Sequence, residues 1–358
     1  MKASLFFRCL KVYSTIAGHF YFRKWQVNNA KAIPRSGPVI FIPNHQNAFL
    51  DAVLVICSSP RNPWSIARAS VFKEGIVTRL LTAVQIKPVF RVRDGWGSLR
   101  NNDAIIQEWS NMLANDQDIL IFAEGNHNEP YATGVLQRGF ARMTLQFQQK
   151  HSTPLTIVPV GFHYDDHYTF RSRVLVNFGD AISVNDVLNA SFSEREKLDA
   201  LVEATDSAMK KLALDIKPDE SYAAKVNFLR TYRRKEKDMI AQLEADREIL
   251  KLFPTPPSNF VAQGKVSTFW KVINPIVWIG WLLHILPYTF IRNFIKKKVK
   301  DPQFISSLKY AFGMFLVPLY YLILLILFYV IVRDVSLTLI FAILLPVTGI
   351  AATEFLKK

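Results

Sequence analysis

Between Pro38 and Asp180 the chain alternates short apolar runs with longer stretches in which apolar residues recur three and four positions apart. The runs are VIFIP at 39–43, WSIARA at 64–69, IKPVF at 86–90, DILIFAEG at 118–125, TIVPVGF at 156–162 and RVLVNFG at 173–179. Short runs rich in Val, Ile and Phe read as strands covered on both faces. Between two of them Ile105, Ile106, Trp109, Met112 and Leu113 fall at helical spacing behind Asn101, Asn102 and Asp103, whose side chains can cap a helix. Strands separated by helices predict an α/β domain, a mostly parallel sheet flanked by helices, over residues 31–183.

The flanks follow other patterns. Leu5, Cys9, Val12, Tyr13, Ile16 and Phe20 form one helical stripe, with Arg8, Lys11 and Thr15 off it. Residues 1–30 are therefore expected to carry an amphipathic, membrane-associated helix, with packing on its own domain as the alternative. Residues 184–258 are charged and helix-favouring, closing at the TPP of 255–257, and predict a helical subdomain. The remainder, 259–358, reads as a membrane region. It holds 22 consecutive uncharged residues at 311–332 and 19 more at 335–353, separated by Arg333 and Asp334. About 20 apolar residues cross a bilayer as a helix, so a transmembrane hairpin is expected. Its basic flanks, Lys296 to Lys300 with Lys309, and Lys357 with Lys358, put both ends on the cytoplasmic side. The stretch 272–291, interrupted by Asn274, Pro275, His284 and Pro287, is expected to be re-entrant or interfacial, with Trp278 and Trp281 at headgroup depth; a third span is the alternative.

Charge sharpens this picture. The net charge is +15, and the first fifty residues hold seven basic side chains, Lys2 to Arg35, with no carboxylate before Asp51. Basic residues beside apolar segments suit an anionic lipid surface. No helix-turn-helix, zinc or aromatic-platform pattern accompanies the charge, which argues against a nucleic-acid partner. Only Cys9 and Cys57 occur, which excludes a disulfide framework or a cysteine zinc site. Arg8 and Lys11 interrupt the N-terminal apolar run, unlike a secretory signal.

The first apolar run leads into PNHQNAFLDA, 43–52. On one helix His45 and Asp51 would point about 120° apart. The histidine is better placed in the loop leaving the strand, with Asp51 in the following helix and Asn47 as its cap. A carboxylate on one imidazole nitrogen leaves the other free to take a proton from a hydroxyl. Arg91, Glu124 and Gly125 also stand just past predicted strands, at the carboxyl edge where parallel α/β sheets bind ligands.

NHQNAFLD, FRVRD at 90–94, FAEG at 122–125 and the later Val158-Pro159-Val160 occur in the order of the blocks of the glycerophospholipid acyltransferase family, which this chain resembles over roughly 35–180. There are departures. Five residues separate His45 from Asp51 where the commonest pattern has four; with its Asn-x-Phe-x-Asp run this is similar to the branch acting on glycerol phosphate or dihydroxyacetone phosphate in fungi and to related bacterial members. Ala123 replaces a proline, and Asn126-His127 replaces Thr-Arg, removing a basic group expected near the acceptor phosphate.

The resemblance implies a membrane-bound O-acyltransferase of phospholipid biosynthesis. His45 would be the general base and Asp51 its orienting carboxylate. Arg91 would hold the acceptor phosphate, with Glu124, Gly125 and Arg138 of LQRGFAR as further substrate-binding residues. The acceptor would be lysophosphatidic acid or glycerol 3-phosphate. Acyl-CoA or acyl carrier protein would be co-substrate, with no cofactor and no metal; His163, Asp165, Asp166 and His167 read as structural. The expected location is a membrane, a bacterial inner membrane with the catalytic domain on its cytoplasmic face. The competing functions are acylation of another lysolipid, such as a lyso-aminolipid, and a non-catalytic membrane scaffold.

Overall fold

The computed structural model describes residues 3–68, 72, 75–89, 98–255 and 275–357. Its centre is an eight-stranded sheet made of β1 (Lys24–Asn28), β2 (Val39–Pro43), β3 (Trp64–Arg68), β4 (Ile86–Val89), β5 (Ile119–Leu120), β6 (Thr156–Tyr164), β7 (Arg173–Phe178) and β8 (Ile182–Ser183). The order is β1-β7-β6-β2-β5-β3-β4, with β8 also on β6. Pairings are parallel except β6 with β7 and β6 with β8. The sheet is thus the mostly parallel one expected. β1 and β8 had no counterpart in the sequence reading: β1, KWQVN, is polar at alternate positions, and β8 is too short for a pattern. The run 118–125 is strand only at Ile119–Leu120 before it turns.

Side-chain alternation sorts β2 between two cores. Ile40 and Ile42 face α4 (Ser98–Ala114), α5 (Gly139–Lys150) and α7 (Glu194–Leu212). Val39 and Phe41 face α1 (Leu5–Tyr21), α2 (Ala48–Ser58) and Tyr310 and Met314 of the helix Phe304–Val332. In α4 the residues Ile106, Trp109, Met112 and Leu113 are buried in the first core, but the helix starts at Ser98, so Asn101, Asn102 and Asp103 lie inside it and do not precede it. A third core joins α8 (Tyr222–Tyr232) and α9 (Met239–Lys251) to Leu175 of β7.

The stripe on α1 is solvent-exposed at Leu5, Phe6, Val12, Ile16 and Phe20, while Phe7, Ser14, Gly18 and Tyr21 pack inward. Phe304–Val332 and Val335–Lys357 form a hairpin turning at Arg333, which takes the left-handed conformation. Both are long and apolar enough to cross a bilayer, and outward side chains such as Leu322, Ile326, Ile331 and Ile343 are more than half exposed. Both ends of this hairpin touch the α/β body. Ser306 and Ser307 bond to the loops after β2 and β6, and Glu354 pairs with Arg171 at 3.0 Å and with Arg23. Pro275–Lys298 is one unbroken helix through Pro287; residues 272–274 lie outside the described residues.

The packing of α7 on the sheet is tight at one point. A Cβ on Gly161 of β6 would stand 2.5 Å from the carbonyl carbon and oxygen of Leu212, backbone that cannot swing aside. Gly161→Ala is expected to destabilise the domain by about 1–3 kcal/mol through overpacking. The check is thermal unfolding of the detergent-solubilised protein, and an unchanged melting temperature would refute this account of the α7 contact.

Candidate active site

The chain leaves β2 at Pro43 and turns before α2. Asn44 locks the exit: its amide donates to Val160 O at 3.2 Å, and its Oδ1 accepts from Phe162 N at 2.8 Å. His45 follows in the loop, and Asp51 sits in the first turn of α2, fully buried. His45 Nδ1 stands 3.1 Å from Asp51 Oδ2. A carboxylate oxygen only accepts, so Nδ1 carries the hydrogen and Nε2 keeps its lone pair.

Asp51 is saturated. Oδ2 also accepts from the backbone amides of Gln46 and Asn47, each at 2.7 Å, and Oδ1 accepts from the Tyr164 hydroxyl at 2.6 Å. Burial, and after it the charge of Asp51, hold the Tyr164 phenol well above its usual range, so it stays a donor. Asn47 does not cap α2 with its side chain, contrary to expectation; the carboxylate of Asp51 takes the Asn47 amide instead.

The imidazole is walled in. Phe122 stacks on it with centroids 3.7 Å apart and planes 18° from parallel, and His127 lies 4.1 Å away on a tilted ring. Glu124, in the turn after β5, accepts from the His45 amide at 3.3 Å and from the Asn128 side chain, and Asn128 N donates to His45 O at 3.0 Å. Gly125 takes φ +72°, which its lack of a Cβ permits. Burial pushes the Glu124 carboxyl up to about 8, against hydrogen bonds from the backbones of Gly134 and His45 and from Asn128 that favour ionisation. Burial, then the neighbouring His45, pushes His127 down to about 4. Near neutrality both are therefore uncharged.

The residues singled out from the sequence end in different places. His45, Asp51, Glu124 and Gly125 come together. Arg138 instead pairs with Asp199 of α7 at 2.6 Å, on the outer surface, both side chains about half exposed. Arg91 lies outside the described residues. His163 and His167 are spoken for. His163 Nε2 is 2.9 Å from Asp246 Oδ2, which Arg233 also holds, joining β6 to α9. His167, pushed down to about 3 by burial, bonds Gln46 Oε1 at 3.0 Å and so braces the catalytic loop.

Tyr164 and Asn128 escaped the sequence reading, as did Arg68, which ends β3 and reaches Asn126 Oδ1 at 2.7 Å; His127, read from the sequence as a departure from the family's Thr-Arg, lies against the His45 ring. Only Tyr164 had a legible signal. Extending the alternation of Val158, Val160 and Phe162 by one step puts it on the same face, at the strand end beside Asp51.

The carboxylates near His45 set a pH dependence. Glu124 in the folded chain binds its proton up to about pH 8, whereas an unfolded glutamate releases it near 4.5. Between those values the folded state holds the extra proton, so stability falls as pH rises and the penalty is complete above about 8. Glu124→Gln, which keeps the shape of the neutral acid, should flatten the fall in unfolding free energy from pH 5 to 8.5 by on the order of 4 kcal/mol. Chemical denaturation of both proteins across that range tests this; parallel curves would show that Glu124 is ionised in the fold.

Residues 24–163 match the family model described as Acyltransferase. Glycerol-3-phosphate O-acyltransferase 1 of Saccharomyces cerevisiae is 32% identical over 142 residues, which are 39% of this chain; the chain spans 18% of that protein's length. The crystal structure of the 1-acyl-sn-glycerophosphate (LPA) acyltransferase PlsC from Thermotoga maritima aligns with a TM-score of 0.39 at 16% identity, over 57% of this chain and 78% of that one. The segment 24–163 is thus similar to the Acyltransferase family model, and within it the NH(x)5D loop closes into a His45–Asp51 contact at the end of β2.

Proposed function

We propose that the chain is a membrane-bound enzyme that moves a fatty acyl group from a thioester, acyl-CoA or acyl carrier protein, to a hydroxyl of glycerol 3-phosphate or lysophosphatidic acid in phospholipid synthesis. The observation that carries this is the His45–Asp51 contact of 3.1 Å, with Asp51 wholly buried and held by three further donors, the Gln46 and Asn47 amides and the Tyr164 hydroxyl. In that arrangement His45 Nε2 takes the proton of the acceptor hydroxyl as its oxygen attacks the thioester carbonyl. Asp51 balances the charge that the imidazole gains. The tetrahedral intermediate collapses with loss of the C–S bond, and the imidazolium returns the proton to the departing sulfur. No enzyme nucleophile is consumed, so a single transition through the ternary complex suffices.

Acceptor choice rests on cations near this edge. Arg68 at the end of β3 stands beside the 126–127 turn, and Arg91 is the arginine that the family resemblance assigns to the phosphate. A guanidinium fork matches a phosphate in charge and geometry. The exposed stripe of α1 and the hairpin 304–357 hold the domain at the bilayer, and the basic flanks favour the cytoplasmic face, in a bacterial inner membrane.

His45→Ala should cut acyl transfer by about 10²- to 10⁴-fold, the range of general-base catalysis. The assay uses purified full-length protein with labelled acyl-CoA and a panel of glycerol 3-phosphate, lysophosphatidic acid and a phosphate-free lysolipid. Undiminished turnover by the variant defeats the mechanism. Transfer confined to the phosphate-free acceptor leaves the general base standing and defeats both the arginine assignment and the proposed acceptors.

A further inference from the structure

We propose that Ser307, in the first turn of the helix that enters the membrane, is a positioning residue for the His45–Asp51 pair; the proposal rests on the acyl-transfer reading above. The reasoning starts from a defect in α2. Asn47 occupies the N-cap position, where a side-chain oxygen ordinarily accepts the amide three residues on, here Leu50 N. The Asn47 side chain makes no such bond. The Ser307 hydroxyl joins from 257 residues away: Leu50 N is shared between Asn47 O at 3.0 Å and the serine oxygen at 3.0 Å, and the serine hydrogen goes to Asn47 O at 2.6 Å. Ser307 is completely buried, so no water can substitute.

Its two partners bracket the part of the loop under most strain. Ala48, between them, has φ +42°, a left-handed conformation that a residue with a Cβ holds only when its surroundings impose it. The same turn aims the Gln46 and Asn47 amides at Asp51 Oδ2, the oxygen that holds His45. Neighbouring residues of the membrane helix reinforce the seat. Gln303 donates to Asn128 O at 3.0 Å, Ser306 donates to His167 O, and the Phe304 ring meets His127 edge-on at 5.5 Å. The dyad is thus aligned only while the membrane helix is docked on the loop, and the serine hydroxyl is the bolt.

The test compares wild type, Ser307→Ala and His45→Ala as full-length proteins in lipid nanodiscs. Ser307→Ala should lower kcat about ten-fold, the size of a lost helix cap carried into the reacting geometry, while KM for donor and acceptor stays within about two-fold. Hydrogen–deuterium exchange should speed about ten-fold in the segment 46–51 and stay unchanged in the sheet. Unchanged exchange at 46–51 overturns the proposal whatever the activity, and so does faster exchange spread evenly over the domain. An unchanged kcat, or a loss appearing only in KM, overturns it as well. Equal transfer by wild type and His45→Ala instead removes the acyl-transfer reading, and the exchange experiment still decides whether Ser307 holds the turn.

Discussion

A carboxylate that water cannot reach governs the geometry of this site. An ionised group taken out of water is tolerated only when donors replace its hydration. Asp51 obtains them from the Gln46 and Asn47 amides, the Tyr164 hydroxyl and the His45 ring. Each donor constrains a different element. The two amides dictate the turn after β2. Tyr164 ties α2 to the end of β6, the same strand whose Val160 and Phe162 grip Asn44. The imidazole takes what remains, and it is therefore fixed by the satisfaction of the carboxylate and not by contacts of its own hydrogen-bonding tip.

Around this ion the neighbouring titratable groups are kept neutral. Glu124 supports the His45 backbone without adding a second negative charge near pH 7, because burial outweighs the hydrogen bonds offered to its ionised form. His127 touches the His45 ring yet stays uncharged. A second anion at Glu124 would repel Asp51, and a cation at His127 would repel positive charge on the neighbouring His45 ring.

How much of this could be read from the chain follows from the range of the forces involved. Alternation along β2, β6 and β7 reflects burial, which acts on every residue locally, so the strands and the parallel sheet were visible. The placement of His45 in the loop and Asp51 on the helix followed from helix geometry alone. What stayed hidden depends on pairings distant in sequence. Arg138 has a family pattern in its favour, but its partner Asp199 comes from the charged helix α7 that no local motif ties to it. Tyr164 lies 113 residues from the aspartate it contacts, and Ser307 lies 260 from the carbonyl it holds, just ahead of the apolar run 311–332 and in no motif of its own. The run 272–291 looked broken because two prolines and a histidine punctuate it, yet within the described residues Pro287 is absorbed without ending the helix.

The position of the membrane helix then connects the energetics of the site to the substrates it is proposed to meet. On the proposed reading, acyl-CoA and lysophosphatidic acid are amphipathic, with chains that belong in hydrocarbon, whereas glycerol 3-phosphate carries no chain and would reach the site from water. A catalytic loop free to drift from the membrane would have to draw lipid out of the bilayer, at about 0.8 kcal/mol for each methylene exposed. By docking the first turn of Phe304–Val332 on the loop through Gln303, Ser306 and Ser307, the chain sets the height of His45 relative to the apolar part of that same helix. On the function proposed above, the contacts that complete the turn after β2 would also fix its depth, so alignment of a base and access to lipid would be a single structural condition.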